Sequence, residues 1–255
     1  MKNDFDMIVR HFEKGITIYP ISDVHLGSLE HNKAEWEKFI NKIKMEENSY
    51  IILGGDLINN ATRSSVSDIF EDVLRPMEQK EKMIEYLTPI KDKIICAVSG
   101  NHERRSGKDA DDDPMYDVMC KMDLEDLYRK NIAFVKLQIG NRVAYTFAVT
   151  HGAGGGMTGA AVNKNERFGT MVDGLDCLIV GHSHKGAVSK PSKIVIDPRN
   201  NVVNIKPFTV ITSQSWLNYG GYAMQKMLFP AAYATADNGQ KIVLAKGSKN
   251  LKVVW

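Results

Sequence analysis

Short apolar runs, each halted by a glycine or an acidic turn, alternate with stripes at helical spacing through the first part of the chain. Ile16 to Ile21 is rich in β-branched residues and predicts a strand ending at Ser22-Asp23-Val24-His25. Trp36, Phe39, Ile40 and Ile43 then recur at helical spacing among lysine and glutamate, which predicts a half-buried helix. Tyr50 to Leu53 is a second strand, halting at Gly54-Gly55-Asp56. Val66, Ile69, Phe70, Val73, Leu74 and Met77 make a second helical stripe, interrupted near Pro76 and continued by Met83, Ile84 and Leu87. Ile94 to Val98 is the third strand, and after Ser99-Gly100 it delivers an amide, an imidazole and a carboxylate in succession: Asn101, His102 and Glu103.

This order predicts an α/β fold with parallel strands, each ending in a polar loop at one edge of the sheet, where sites form. Ser106 to Asp113 is rich in Asp and reads as a loop feeding a helix, with Asp113 as cap and Pro114 at the first position. A mobile acidic lid is the functional alternative for residues 106–113. A hairpin follows, Ala133 to Ile139 and Arg142 to Thr150, joined at Gly140-Asn141 and ending in His151. Leu175 to Val180 is another strand and ends in Gly181-His182-Ser183-His184. Beyond Pro191, strand formers and turn signals at residues 197–201 and 237–239 predict a second, mostly antiparallel sheet. No Pro/Ser-rich linker interrupts the chain, so residues 1–255 are expected to form a single domain.

Composition narrows the class. A chain of 255 residues with 43% apolar and 25% charged residues is ordinary for a soluble globular protein, and a net charge of +2 gives no basis for a nucleic-acid reading from charge alone. Cys96, Cys120 and Cys177 form no CxxC pair and read as thiols of a reducing compartment. Met1 to Lys14 has no apolar stretch suited to a signal peptide, and no segment is long and apolar enough to span a membrane. A cytoplasmic protein without membrane partners is the expectation, and a homo-oligomer is left open.

Five of the seven histidines, His25, His102, His151, His182 and His184, sit where an apolar strand gives way to a loop. With Asp23, Asp56 and Asn101 beside them, so many ligand-type groups need a common partner to offset their desolvation, and metal is that partner. Mixed imidazole and carboxylate donors suit manganese, iron, zinc or nickel. The donors exceed one ion's needs, which points to a pair of ions about 3.5–4 Å apart bridged by a carboxylate, the arrangement used for displacement at phosphorus.

Asp23-Val24-His25, Gly55-Asp56, Gly100-Asn101-His102-Glu103, His151 and Gly181-His182-Ser183-His184 together resemble the five ordered motifs of the calcineurin-like metallophosphoesterases. The resemblance implies a four-layer α-β-β-α sandwich of two mixed β-sheets flanked by helices. It also implies two divalent metal ions, manganese first. Asp23, His25, Asp56 and His184 would hold one ion; Asp56, as the bridge, Asn101, His151 and His182 would hold the other. A metal-bridging hydroxide would attack phosphorus, and His102 would face the leaving oxygen as a proton donor. Glu103 is either a group orienting a ligand or a surface carboxylate.

Leu57-Ile58-Asn59-Asn60 after Asp56 lacks the Asp-Arg-Gly of protein serine/threonine phosphatases, and no tyrosine next to Asp56 matches the purple acid phosphatases. The Asp-Val-His-Leu-Gly-Ser opening is similar to bacterial and phage phosphodiesterases and nucleases, so the implied substrate is a phosphate ester, with a diester of nucleotides or DNA favoured. A DNA exo- or endonuclease of the SbcD type and a non-catalytic scaffold of the same fold are the rivals. Arg63, Arg104 and Arg105 lie just beyond two ligand loops as phosphate clamps or solvated arginines. Gly152 to Gly156 forms an anion nest or a tight backbone passage, and Tyr219-Gly220-Gly221-Tyr222 a base-stacking site or a core turn.

Overall fold

The structure, a computed structural model, describes residues 3–62, 65, 71–154, 159–225 and 230–255, with the backbone alone at Tyr222 and Gln225. The chain runs β1 (Ile8–Phe12), β2 (Ile16–Ile21), α1 (Lys33–Met45), β3 (Ser49–Leu53), α2 (Pro76–Leu87) and β4 (Ile94–Val98). Then come α3 (Glu103–Ala110), α4 (Pro114–Lys121), β5 (Tyr128–Arg129), β6 (Ile132–Ile139), β7 (Val143–Thr150), α5 (Gly159–Thr170) and β8 (Cys177–Val180). The last part holds β9 (Ala187–Ser189), β10 (Ser192–Asp197), β11 (Val202–Pro207), β12 (Thr209–Thr212), α6 (Gly221–Gln225), β13 (Lys241–Leu244) and β14 (Leu251–Val254).

Two six-stranded sheets result, β14-β13-β2-β3-β4-β5 and β1-β6-β7-β8-β12-β9, both mixing parallel and antiparallel pairs. The strands β2, β3 and β4 are buried on both faces, which is why they read as unbroken apolar runs. Ile18, Ile52, Ile95 and Val98 point to the layer between the sheets, where they meet Val135, Tyr145, Phe147 and Ile179. Tyr19, Ile51, Leu53 and Ala97 face the opposite way, against Trp36, Phe39 and Ile43 of α1, Met83 of α2 and Met119 of α4. On the far side, Phe168 of α5 packs over Leu178, Val180 and Val210. The layers are therefore helix, sheet, sheet, helix, the sandwich expected for the fold class. No helix among the described residues is long and apolar enough to cross a membrane.

Four expectations are corrected. The segment after Pro191 does not build the second large sheet: β12 pairs with β8, β13 pairs with β2, and β10 and β11 form a separate two-stranded antiparallel ribbon. The second large sheet is instead founded on the β6-β7 hairpin, joined by the charged strand β1, which pairs in parallel with β6 and was not expected as a strand. The stripe placed on Val66 to Met77 is not helical over residues 71–75, and residues 66–70 lie outside the described ones. Pro76 begins α2 rather than interrupting a helix; its ring forces the preceding Arg75 into an extended conformation (ψ 156°), and Glu78 accepts from the Arg75 amide at 2.7 Å.

Residues 106–110, expected as loop, belong to α3. Tertiary contacts override their propensity, because Asn60 Nδ2 donates to His102 O and Ser106 Oγ and so fastens the first turns. Asp113 caps α4 as expected, accepting from the Tyr116 amide at 3.1 Å. Lys80 of α2 ties down the stretch between, 3.7 Å from Asp112 and 2.8 Å from Asp117.

Candidate metal centre

The ligand-type residues do not share the edge of one sheet. Asp23, His25, Asp56, Asn101 and His102 follow β2, β3 and β4, whereas His151, His182 and His184 follow β7 and β8 of the other sheet. The carboxyl ends of the two sheets meet, and the loops are stitched together there. Within the first sheet Gly54 N–H donates to Ile21 O at 2.6 Å, Asp23 N–H to Gly55 O at 3.0 Å and His25 N–H to Asp56 O at 3.0 Å, and across the two sheets His182 N–H donates to Asp23 Oδ2 at 3.0 Å. Close approach demands small residues: a Cβ on Gly100 would lie 2.0 Å from Asp56 Oδ1, and Gly55, at φ 86°, would collide with the Gly100 amide. The backbone is itself strained. Asp23, His25, Asp56, His182 and His184 adopt φ of 54°, 47°, 53°, 71° and 57°, a left-handed conformation that costs about 1–3 kcal/mol per residue outside glycine and gathers at functional sites.

Three donor groups converge: Asp23 with His25 and His184, Asp56 with His151 and His182, and His25 with Asp56 and His102. Asp56 Oδ2 lies 3.2 Å from His151 Nε2, 3.7 Å from His102 Nε2 and 4.0 Å from His25 Nε2. Asn101 Oδ1 joins the second group, 3.0 Å from His151 Nε2 and 2.7 Å from His182 Nδ1.

Neighbouring groups fix which ring nitrogens face inward. A carbonyl can only accept, so His151 Nδ1–H donates to Gly54 O (2.9 Å) and His102 Nδ1–H to Asn59 O (2.8 Å), leaving each Nε2 directed at the cluster. His25 Nδ1 lies 3.2 Å from Asn59 Oδ1, and Asn59 Nδ2 in turn donates to Asp72. Asp23 Oδ2 takes the Ser22 hydroxyl and the His182 amide, whereas the buried Asp23 Oδ1 accepts no hydrogen bond, although His184 Nε2 stands 3.2 Å away. An orphaned carboxylate oxygen facing imidazole nitrogens is what a cation site needs, and the mixed imidazole and carboxylate donors fit divalent metal.

Protonation follows the same geometry. Burial opposes ionisation of Asp23, but His184 and His151 outweigh it and hold the carboxyl at about 2; Asp56 is likewise held well below the usual range by His151 and His102. Burial also works against a charged His151, yet Asp56 lifts it to about 10. Burial pushes His25 and His102 down.

Glu103 is no surface carboxylate. It is 1% exposed and accepts four backbone amides, Leu57 at 2.7 Å and Ile58 at 3.3 Å on Oε1, Gly100 at 2.8 Å and Asp56 at 2.9 Å on Oε2. Burial and the nearby Asp56 push its carboxyl up to about 7. It locks the Asp56 loop to the Asn101 loop. Asn59, Asn60 and Ser22 do comparable work and were not singled out by sequence; the only signal for the asparagines was their position directly after a ligand loop.

The three arginines separate. Arg105 Nη2 lies 3.0 Å from His102 Nε2, at the cluster. Arg104 turns away and donates to Ser99 O and Lys130 O, so its guanidinium is engaged in holding loops rather than presented as a phosphate clamp. Arg63 lies outside the described residues, as do Gly155 and Gly156. Tyr219 is 44% exposed and the glycines after it pack against Glu30, so this is not a core turn; the Tyr222 side chain lies outside those described.

A family model described as calcineurin-like phosphoesterase matches residues 16–186. The DNA polymerase II small subunit of Thermoplasma acidophilum is 25% identical over 126 residues, which cover 47% of this chain and 25% of that protein. The chain thus spans about a quarter of the length of this curated relative. Among solved structures, a conserved uncharacterized protein of Streptococcus pneumoniae, described as a predicted phosphoesterase, is similar with a TM-score of 0.40 and 10% identity, over 94% of this chain and 89% of that one. The matched region runs from β2 to just beyond His184 and contains every ligand-type residue named above, and on that match the chain belongs to the calcineurin-like phosphoesterases, metal-dependent hydrolases of phosphate esters.

Proposed function

We propose that the chain, as a single domain over residues 1–255, is a two-metal phosphodiesterase acting on nucleotides or nucleic acid. The observation that carries this is the convergence of the three donor groups, Asp23 with His25 and His184, His25 with Asp56 and His102, and Asp56 with His151 and His182, together with a buried Asp23 Oδ1 in the first that accepts no hydrogen bond. Asp23, His25, Asp56 and His184 would hold one ion, and Asp56, Asn101, His151 and His182 the other, with manganese the first choice for imidazole and carboxylate donors. When bound, two such ions lower the pKa of water towards neutrality and neutralise charge on the transferring phosphoryl group.

The protein's own groups do the rest. His102, held by Asn59 O through Nδ1, keeps Nε2 at the cluster 3.7 Å from Asp56 Oδ2, whose charge favours protonation of the ring; once Nε2 has taken up a proton from water it can donate it to the leaving oxygen, a contribution of about 100- to 10,000-fold. Arg105, beside that nitrogen, is placed to take a phosphoryl oxygen when substrate enters, and its positive charge favours the developing negative charge. The diester preference is supported by the Asp-Val-His-Leu-Gly-Ser opening and by a relative that is, by name, a DNA polymerase subunit.

The test uses chelated protein resupplied with manganese, and compares bis(p-nitrophenyl) phosphate, p-nitrophenyl phosphate, dinucleotides and single- and double-stranded DNA. Metal-dependent hydrolysis of the bis-ester, lost in His102→Ala, is expected. Hydrolysis of the mono-ester alone would refute the diester preference, and no hydrolysis with any divalent metal would refute the enzyme. Cleavage of DNA in preference to dinucleotides would assign the chain to the nucleases.

A further inference from the structure

The strands β10 and β11 form a ribbon that belongs to neither large sheet. Its register sets Ile194 against Ile205 and Ile196 against Val203, so strand alternation gathers these four side chains on one face, with Ser192 and Pro207 opposite each other at its base. That face has no charged residue; Lys193, Asp197 and Lys206 all project from the other.

The ribbon is inside out. Ile194, Ile196, Val203 and Ile205 are 75%, 72%, 66% and 73% exposed. Lys193, on the charged face, turns to the body of the protein, where it donates to Val172 O and pairs with Asp173, each at 2.8 Å. A ribbon stabilised by its own chain would turn the aliphatic face inward, since two strands alone are marginal in water.

We propose that this aliphatic face is a homodimer interface, in which two copies of the chain pack their ribbons face to face about a two-fold axis. An isologous contact needs a patch complementary to itself, and the quartet of Ile194, Ile205, Ile196 and Val203 is close to symmetric about the ribbon centre. Identical copies meet no like charges there, and a net charge of +2 adds little repulsion at a distance. The four side chains expose roughly 450 Å² per copy, within the range of the largest patch on a monomer. Complete burial of both faces would remove about 900 Å², and with Ser192, Pro207 and the ribbon backbone at most about 1,000 Å², the lower bound for a specific interface. The dimer is therefore reversible and dependent on concentration. Its ribbons leave both metal centres open, because the ribbon joins β12 at Thr209, opposite Cys177 at the start of β8, whereas His182 and His184 follow the other end of β8.

Sedimentation velocity and light scattering across micromolar to submillimolar concentrations test this. The mass of the wild-type chain is expected to rise from 28.6 kDa towards twice that value. Ile194→Lys with Ile205→Lys is expected to remain monomeric at every concentration, with circular dichroism and melting unchanged from the dilute wild type. Ile194→Ser with Ile205→Ser, which removes apolar surface without adding charge, is expected to shift the transition to higher concentration. A wild type that stays monomeric throughout, leaving the face to a different occupant, would overturn the proposal. So would a dilysine variant that dimerises as the wild type does.

Discussion

Replacing Glu103 by alanine removes a single carboxylate and strands four buried amide donors, those of Asp56, Leu57, Ile58 and Gly100. At a pH above about 7, where Glu103 is ionised, hydrogen bonds to this charged acceptor contribute about 1.5–3 kcal/mol each, and an unsatisfied buried donor costs about 1–3 kcal/mol. Water entering the vacated volume recovers part of this. The net loss expected for Glu103→Ala is about 4 kcal/mol, at the severe end for one substitution. Glu103→Gln keeps the volume and one carbonyl oxygen, enough for the Leu57 and Ile58 pair or for the Asp56 and Gly100 pair; its NH2 group confronts the other, so about half that loss is expected. Function should fall further than stability alone dictates, since the Asp56 carboxylate and Asn101 amide would lose their common anchor; removing a group that orients metal ligands typically costs about 10- to 100-fold in metal affinity or activity. Urea unfolding of both variants gives the stability, and manganese-dependent bis-ester hydrolysis under folded conditions gives the function. An alanine variant as stable and as active as the wild type would refute the role assigned to Glu103.

Two other predictions lie away from the ligand shell or at its margin. Burial raises Tyr19, Tyr86 and Tyr128 above the usual phenol range, reinforced by Glu46, Glu37 and Asp113 respectively. A group whose folded pKa is raised adds stability below its unfolded pKa, about 10 for tyrosine, and that stability is lost as pH climbs beyond it. Melting temperature should therefore fall with pH above that point, and absorbance titration should find these phenols ionising together with unfolding; smooth ionisation of all nine tyrosines in the folded state would contradict it. Arg105→Ala should raise KM and lower kcat on the bis-ester, whereas Arg104→Ala should leave the KM unchanged and lower melting temperature, because its bonds run to Ser99 O and Lys130 O. Equal kinetic effects of the two would remove the distinction.

What was legible in the sequence was the set of strand ends. Strands buried on both faces announce themselves as apolar runs, and the residues that follow them, Asp23, Asp56, Asn101 and His182 among them, were placed by that alone. The partition of these ends between two sheets was not legible, because pairing of β12 with β8 and of β13 with β2 joins residues distant in sequence. Strand β1 was hidden by its charge: Arg10 sits between Ile8 and Phe12 and donates to Ile94 O across the sandwich. The role of Glu103 was equally hidden, since nothing local tells a buried acceptor of four amides from a solvated helix carboxylate. Helix α3 formed against its composition, through contacts from Asn60 that periodicity does not record.

Metal binding at equilibrium distinguishes a two-ion centre from any other arrangement of these residues. Chelated protein titrated with manganese should take up two ions per chain, with protons released because His151, held as a cation by Asp56, must give up its proton to become a ligand. Affinity should therefore weaken as pH falls. Asp23→Asn should weaken one site, His182→Ala the other, and Asp56→Asn both. Uptake of a single ion, or of none, or two ions retained at undiminished affinity by Asp56→Asn, would contradict a centre in which Asp56 joins two metals.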